Sequence, residues 1–458
     1  MTSIIPLWYE HARDSHYGAF YMNLTRSWQP TPPWDKYPAM ISRQVYGFSA
    51  AYLLSGDKRY LEVAREGVDY LLKHAWDEEY GGWFGVLTQA GQPQDSTKSV
   101  DLQLYTDVGL AMYYFVTGDQ RVLSRVRESI AIRRSFAHDK EFDGYYQVLN
   151  RDLSVKDSSK SKHSHFGCTS SLLLNLWMAT RDPEILNFAE ELMRISIERM
   201  TDPQEGWLRG FPTRFDRKWN FTPAMSGAKE VISAGAQLTG ALAFLRLYEL
   251  TGNEIYRKEG VSLAEQIMRY AWDSTRGGWY DIVERMPPHS LQGTPTVSWW
   301  IQCYGDFLQL HLYHITGEDH YLSQFQKMAR FWNRFLVDRE LGGVFRTVSA
   351  DGAPIDSEKA VVWKASYHEM EHSLINYLYL NLYVNRKPVV LHFLLRDTKS
   401  QSTHFVSLVE DPSVQVGSVT INGKPWASFN GTERSVTLPE SKEAELEVTL
   451  VPSPHVRK

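Results

Sequence analysis

Imidazoles exchange protons near neutral pH, and this chain places them in two settings where they could do so. One is His368-Glu369-Met370-Glu371-His372, an HExxH spacing that sets two imidazoles one helical turn apart, as in zinc peptidases. The next histidine, His392, falls in a β-prone stretch, and no third ligand follows at a recognisable spacing. No metal is therefore expected, and no other cofactor is called for. The second setting is His163-Ser164-His165, at the end of a serine-rich stretch that reads as a loop over a cavity mouth. There is no Gly-x-Ser-x-Gly elbow and no glycine-rich phosphate loop, so neither a serine nucleophile nor nucleotide chemistry is indicated.

The remaining polar candidates recur at one place in a repeated pattern. They are Arg43; Asp101, Gln103, Tyr105 and Asp107; Gln237 and Thr239; Gln302 and Tyr304; and Glu371. Each lies at or near the start of an apolar segment, or just before it. The segments are 40–54, 104–116, 167–179, 234–250, 299–315 and 366–383, and they read as buried helices. Ahead of the last five turns described next lie amphipathic stretches. In one of them Leu61, Ala64, Val68, Leu71, Leu72 and Ala75 fall on one helical face. An aspartate, a short polar turn, glycine and an aromatic or apolar residue begin at Asp14, Asp77, Asp139, Asp202, Asp273 and Asp338. Repetition at this interval means a repeated supersecondary unit. Buried helices alternating with amphipathic ones predict a mainly α fold, an (α/α)6 barrel, over residues 1–386. Parallel inner helices would gather the polar residues at one mouth, positive dipole ends inward.

Beyond residue 386 the pattern changes to β-prone runs with an Asn422-Gly423 turn, predicting a small antiparallel β-domain over 387–458. The chain has 458 residues, 43% hydrophobic and 22% charged, with a net charge of −5, so nucleic acid and anionic membrane are not expected partners. No apolar run approaches the roughly 18 residues needed to span a bilayer. Two cysteines in apolar runs and no basic-then-apolar leader suit a cytoplasmic protein. The 15 Trp, 25 Tyr and 20 Phe provide flat faces of the kind that stack on sugar rings, although aromatics also fill cores.

The GGW-type turns, SRQVYGF around Arg43, WWIQ at Trp299–Gln302 and WKASYH at Trp363–His368 together resemble the N-acylglucosamine 2-epimerase family, over roughly residues 8–384. The resemblance implies a cofactor-independent enzyme that moves the proton at C2 of a small mono- or oligosaccharide, through a histidine pair and an arginine. By that resemblance His368 and His165 are the acid/base histidines and Arg43 the oxyanion stabiliser. Trp300 and Trp363 would be stacking walls, with Gln302, Tyr105, Asp101 and Glu371 as further substrate contacts. The chain departs from the family pattern at several points. Ala236 and Thr239 replace a histidine and its glutamate, Cys168 and Tyr304 replace glutamates, and Glu371 replaces an arginine. Either His165, Tyr304 or Tyr105 then takes the missing acid/base role, or the reaction differs. A toroid followed by β-strands also resembles polysaccharide lyases, so a lyase or glycoside hydrolase is a second reading, and a non-catalytic carbohydrate binder a third. Homodimer formation stays open.

Overall fold

The computed structural model describes residues 3–209, 214–222, 231–291 and 293–452. Twelve α-helices lie among the described residues: α1 (Ile5–His11), α2 (Pro38–Ser55), α3 (Lys58–Tyr70), α4 (Val100–Thr117), α5 (Gln120–Ile132), α6 (Asn175–Thr180), α7 (Pro183–Ile195), α8 (Ala234–Thr251), α9 (Glu254–Ala271), α10 (Trp299–Thr316), α11 (Asp319–Phe331) and α12 (Tyr367–Tyr379). A widened helical turn, Thr169–Leu174, leads into α6. The even-numbered helices are the apolar ones: nearly every residue of α2 and α8 is buried. The odd-numbered helices from α3 onward bury one stripe, as Leu61, Ala64 and Val68 do in α3. Helix α1 is a short addition that the sequence pattern did not reveal.

Local chemistry sets the joints. Inner helices α2, α4, α8 and α10 end on glycines in the left-handed region. Asp57, Asp119, Asp182 and Asn253 then cap α3, α5, α7 and α9 by accepting a backbone N–H two residues on. The repeated aspartates have one shared task. One oxygen of each of Asp14, Asp77, Asp139, Asp202, Asp273 and Asp338 accepts the backbone N–H groups two and three residues later, closing its turn. In four copies a buried lysine meets the aspartate: Lys36–Asp14 at 2.9 Å, Lys98–Asp77 at 3.1 Å, Lys160–Asp139 at 3.1 Å and Lys359–Asp338 at 2.8 Å.

Packing runs from neighbour to neighbour around the even-numbered helices. Helix α2 packs on α4, α4 on α6, the turn before α6 on α8, α8 on α10, α10 on α12, and α12 returns to α2. The two ends of that circuit are also tied by side chains. The Trp8 indole donates to the buried Glu369 of α12 at 2.8 Å, and Arg26 pairs with Asp338.

After α12 the chain forms a four-stranded antiparallel sheet in the order 389–398, 441–451, 415–421, 424–426, with Val389 opposite Leu450 and Thr398 opposite Ser441. A second, three-stranded sheet joins Thr403–Phe405, Ser435–Thr437 and Phe429–Asn430. The β-prone runs beyond residue 386 each contain a strand, and the short strands 424–426 and 429–430 are additional. The first strand lies against α2 and α4, with the Phe393 ring 5.3 Å from Phe115. Arg246 of α8 donates to the buried Glu410 at 2.6 Å. One continuous apolar core therefore runs from the helices into the sheet.

Candidate active site

A cavity of about 500 Å³ opens where the N-terminal ends of the even-numbered helices meet. Arg43 comes from α2, Asp101 and Tyr105 from α4, Thr239 from α8, Trp299, Trp300 and Tyr304 from α10, and His368 from α12. The segments between helices add Gln147, Ser161, Lys162, His163, Arg214, Arg346 and Trp363. Of the residues singled out from sequence, Arg43, Asp101, Tyr105, Trp300, Tyr304, Trp363 and His368 all come to this wall.

His368 lies among aromatic rings, with Tyr367 at 4.4 Å, Tyr304 at 5.5 Å and Trp299 at 5.8 Å between centroids. Its Nδ1 is 3.3 Å from a Glu371 carboxylate oxygen, and the other oxygen accepts the Tyr367 hydroxyl at 3.0 Å. Glu371 thus stands behind the imidazole rather than in the cavity wall. Burial holds His368 below the usual histidine range, with Arg43 adding to that and Glu371 working against it. The ring is neutral at pH 7 and able to accept a proton. The Tyr304 phenol is pushed well above the ordinary tyrosine value by burial and by the Glu371 charge, so it stays protonated.

Arg43 is 4% exposed. Its guanidinium donates to the Trp363 carbonyl at 2.8 Å and stacks on Tyr105 at 4.1 Å and Trp363 at 5.3 Å, while its buried Nε meets no acceptor. The stack fixes a cation at the cavity wall without a carboxylate to neutralise it in the stack itself. Trp363 is held in the left-handed region and is 38% exposed, presenting its ring to the opening. Trp300 lies against Gly235, where a Cβ would collide with the indole, so glycine is needed for that wall to form.

Besides Glu371, several other sequence-derived assignments need correction. His165 does not face the cavity: it is fully buried, its Nε2 accepts the Tyr145 N–H at 3.2 Å, and its Nδ1 is 2.9 Å from the Ser161 carbonyl. Burial pushes it down to about 3. Gln302 is likewise spent on backbone, accepting from the Trp279 N–H at 2.8 Å and donating to the Trp279 carbonyl at 2.9 Å. Gln103 does the same to Trp83 and Gln237 to Leu208. The three glutamines are equivalent clamps between an inner helix and its hairpin, and His165, in the turn before Thr169–Leu174, accepts the corresponding hairpin N–H. Their regular recurrence, which pointed to a site, comes from this structural duty. The imidazole that does line the cavity is His163, held down to about 3 by burial and by Lys162. Asp107 is also withdrawn, bonded to the Trp83 indole and Ser129.

The HExxH residues diverge in space. His372 is 2.5 Å from Asp306 and stacks on Trp332, Glu369 faces Trp8, and only His368 reaches the cavity. Among the described residues no group of three or more His, Cys, Asp or Glu side chains is placed to hold a metal ion.

The sequence pattern of the N-acylglucosamine 2-epimerase (GlcNAc 2-epimerase) family matches residues 18–371. The chain belongs to this family. It is 26% identical over 381 residues to the cellobiose 2-epimerase of Bacteroides fragilis, covering 80% of this chain and 94% of that one. It is 21% identical over 352 residues to the D-mannose isomerase of Marinomonas mediterranea, covering 72% and 83%. Its fold is that of the solved cellobiose 2-epimerase of Spirochaeta thermophila, with a TM-score of 0.75 at 24% identity over 84% of this chain and 95% of that one. The family match takes in all the cavity-lining residues and ends at Glu371, the carboxylate behind His368. The C-terminal sheets lie outside it.

Proposed function

We propose that this protein is a carbohydrate epimerase or isomerase of the (α/α)6-barrel type, working by proton transfer at C2 of an open-chain sugar in the cavity. The observation that carries the reading is a neutral imidazole, His368, backed by Glu371 and set in the same cavity wall as the arginine-on-aromatic stack of Arg43. His368 takes the C2 proton. The C–H electrons form the C1–C2 double bond, and the carbonyl oxygen gains the negative charge, which Arg43 stabilises. Glu371 accepts from Nδ1 and so keeps Nε2 as the base. Tyr304, remaining protonated, donates to a sugar oxygen, and Trp300 and Trp363 receive the ring faces of the sugar.

The fate of the proton decides the product. Delivery to C2 from the opposite face needs a second acid and gives the epimer; delivery to C1 from the same face by His368, with the O2 hydroxyl proton passing to O1, gives the ketose. His163 is disfavoured as that acid by burial and by Lys162, Arg214 and Arg43, with Asp101 alone opposing them. With His163 disfavoured and the Tyr304 proton given to a sugar oxygen, aldose–ketose isomerisation by one base is the reading we favour. An aldose deuterated at C2 tests it: label recovered at C1 of a ketose is expected. Formation of the C2 epimer with solvent hydrogen would instead require a second acid, and no loss of label from any aldose would end the proton-transfer reading.

The two free buried cysteines, Cys168 and Cys303, support a cytoplasmic site of action, which we include in the proposal.

A further inference from the structure

A second cavity, of about 720 Å³, lies between the helices and the C-terminal sheets. Leu61 of α3, Tyr113 near the end of α4 and Gln120 at the start of α5 form one side. Leu394 and Leu395 of strand 389–398 and His404 of strand 403–405 form the other. At 1.5 Å per residue Tyr113 lies about 18 Å along α4 from Asp101, so this cavity and the candidate active site sit at opposite ends of the inner helices. The family match stops at Glu371, and the strands that complete the cavity lie beyond it. Its volume falls within the roughly 300–1,000 Å³ of small-molecule sites.

Two deeply buried polar side chains line this cavity, His404 at 4% exposure and Tyr113 at 3%. The His404 Nε2 donates to the Phe115 carbonyl in the last turn of α4 at 2.8 Å, which leaves Nδ1 as an acceptor. That Nδ1 lies beside Gly118, another lining residue, and meets no donor among the described residues. Burial holds the ring down at about 4, so it is neutral at pH 7. The Tyr113 hydroxyl likewise has no hydrogen-bond partner among the described residues, and burial pushes it up to about 12, so it keeps its proton.

These atoms narrow the chemistry of a ligand. Nδ1 calls for a hydrogen-bond donor, which a sulfate or carboxylate group lacks. An amine could donate, but Arg65 and Lys399 stand exposed among the lining residues. Glu62 and Asp397 stand there too, so the opening has no single sign of charge to select an ion. A hydrocarbon would leave both buried polar atoms unpaired. A polyhydroxyl compound meets every requirement, since its hydroxyls donate and accept while its C–H faces can lie on the leucines.

We propose that this cavity is a second carbohydrate site, taking a neutral sugar unit with one hydroxyl donating to His404 Nδ1 and another paired with Tyr113. It gives the C-terminal sheets a role that the chemistry of the first cavity does not supply. The inference depends neither on the proton transfer nor on the substrate of the first cavity.

The test uses the full-length protein and sugars that cannot open to an aldehyde: methyl α-mannoside, methyl β-glucoside, methyl β-cellobioside and trehalose. Saturation-transfer NMR detects contact, and calorimetry gives Kd. At least one of these sugars should bind with a Kd in the millimolar range or tighter. Tyr113→Phe should weaken it about threefold or more, the worth of one neutral hydrogen bond. Gln120→Trp places an indole at the exposed start of α5 and should block the site even if Tyr113→Phe fails to fold. Trp300→Ala, in the first cavity, should leave this Kd unchanged, and the two second-cavity variants should leave any turnover of reducing sugars unchanged. Binding of none of the four sugars overturns the proposal. So does binding that Trp300→Ala removes and Gln120→Trp spares, which would assign the sugar to the first cavity, and so does displacement of the sugar by inorganic sulfate, which would make this an anion site.

Discussion

At the scale of single residues, the cavity separates groups that face substrate from groups that hold the frame, and mutation should separate them too. His368→Ala should abolish turnover, a loss of at least about 10³-fold in kcat, while circular dichroism and Tm stay near wild type. His165→Gln should be tolerated, because in other repeats the side-chain oxygens of Gln103, Gln237 and Gln302 accept the hairpin N–H that corresponds to Tyr145. His165→Ala should instead lose about 1–3 kcal/mol of stability by leaving the Tyr145 N–H unpaired. A fall in kcat for His165→Gln with stability unchanged would return that histidine to the chemistry. The pH profile carries a sign. His368 works as a base, so activity should rise as pH increases through its value, which burial places below the ordinary histidine 6.5. Glu371 works against that depression, so Glu371→Gln should move the acid limb to still lower pH while lowering kcat. A limb that moves upward would contradict the Glu371 role.

At the scale of elements, the repeated turn is the unit that places the wall. Lys36 and Asp14 have side chains only 2% exposed and lie 2.9 Å apart. Burial alone would raise Asp14, but the Tyr17 N–H and the Lys36 charge outweigh it and hold the carboxyl below its usual value. A carboxylate held down in the folded state stabilises above its unfolded value and loses that contribution as pH falls through about 4 and below. Lys36→Met should cost about 3–5 kcal/mol by stranding a buried charge, and adding Asp14→Asn should recover part of it, as urea denaturation would show. Additive losses would mean that the pair is not coupled. The elements were the most legible part of the chain, because apolar and amphipathic helices carry their burial in their spacing. The site was half legible. Arg43 and His368 stand at the starts of inner helices and reach the cavity. His163 and His165 sit two residues apart in an irregular loop, where sequence spacing does not say which ring turns inward. The clamps imitated a site because a structural duty repeated in several copies looks, in sequence, like a ring of functional residues.

At the scale of the whole molecule, the C-terminal strands are part of one core with the helices, although they lie outside the family match. Removing everything after residue 386 would uncover Phe115 and leave the Arg246 guanidinium without Glu410. Such a truncated chain should lose about 10 °C or more in Tm, or fail to stay soluble. A stable, fully active 1–386 fragment would show the sheets to be an independent attachment.

The tie between Trp8 and Glu369 has a temporal consequence. During synthesis the first helix emerges hundreds of residues before its acceptor, so the circuit of inner helices cannot close until α12 has left the ribosome. Until then the flank of α2 that meets α12 stays uncovered, while its other side already packs on α3 and α4. A permuted chain that begins at α3 and carries α1 and α2 after residue 452 would be made with α12 and α2 nearly together. It should refold faster than the natural order, and the indole emission of Trp8 would report the moment of closure.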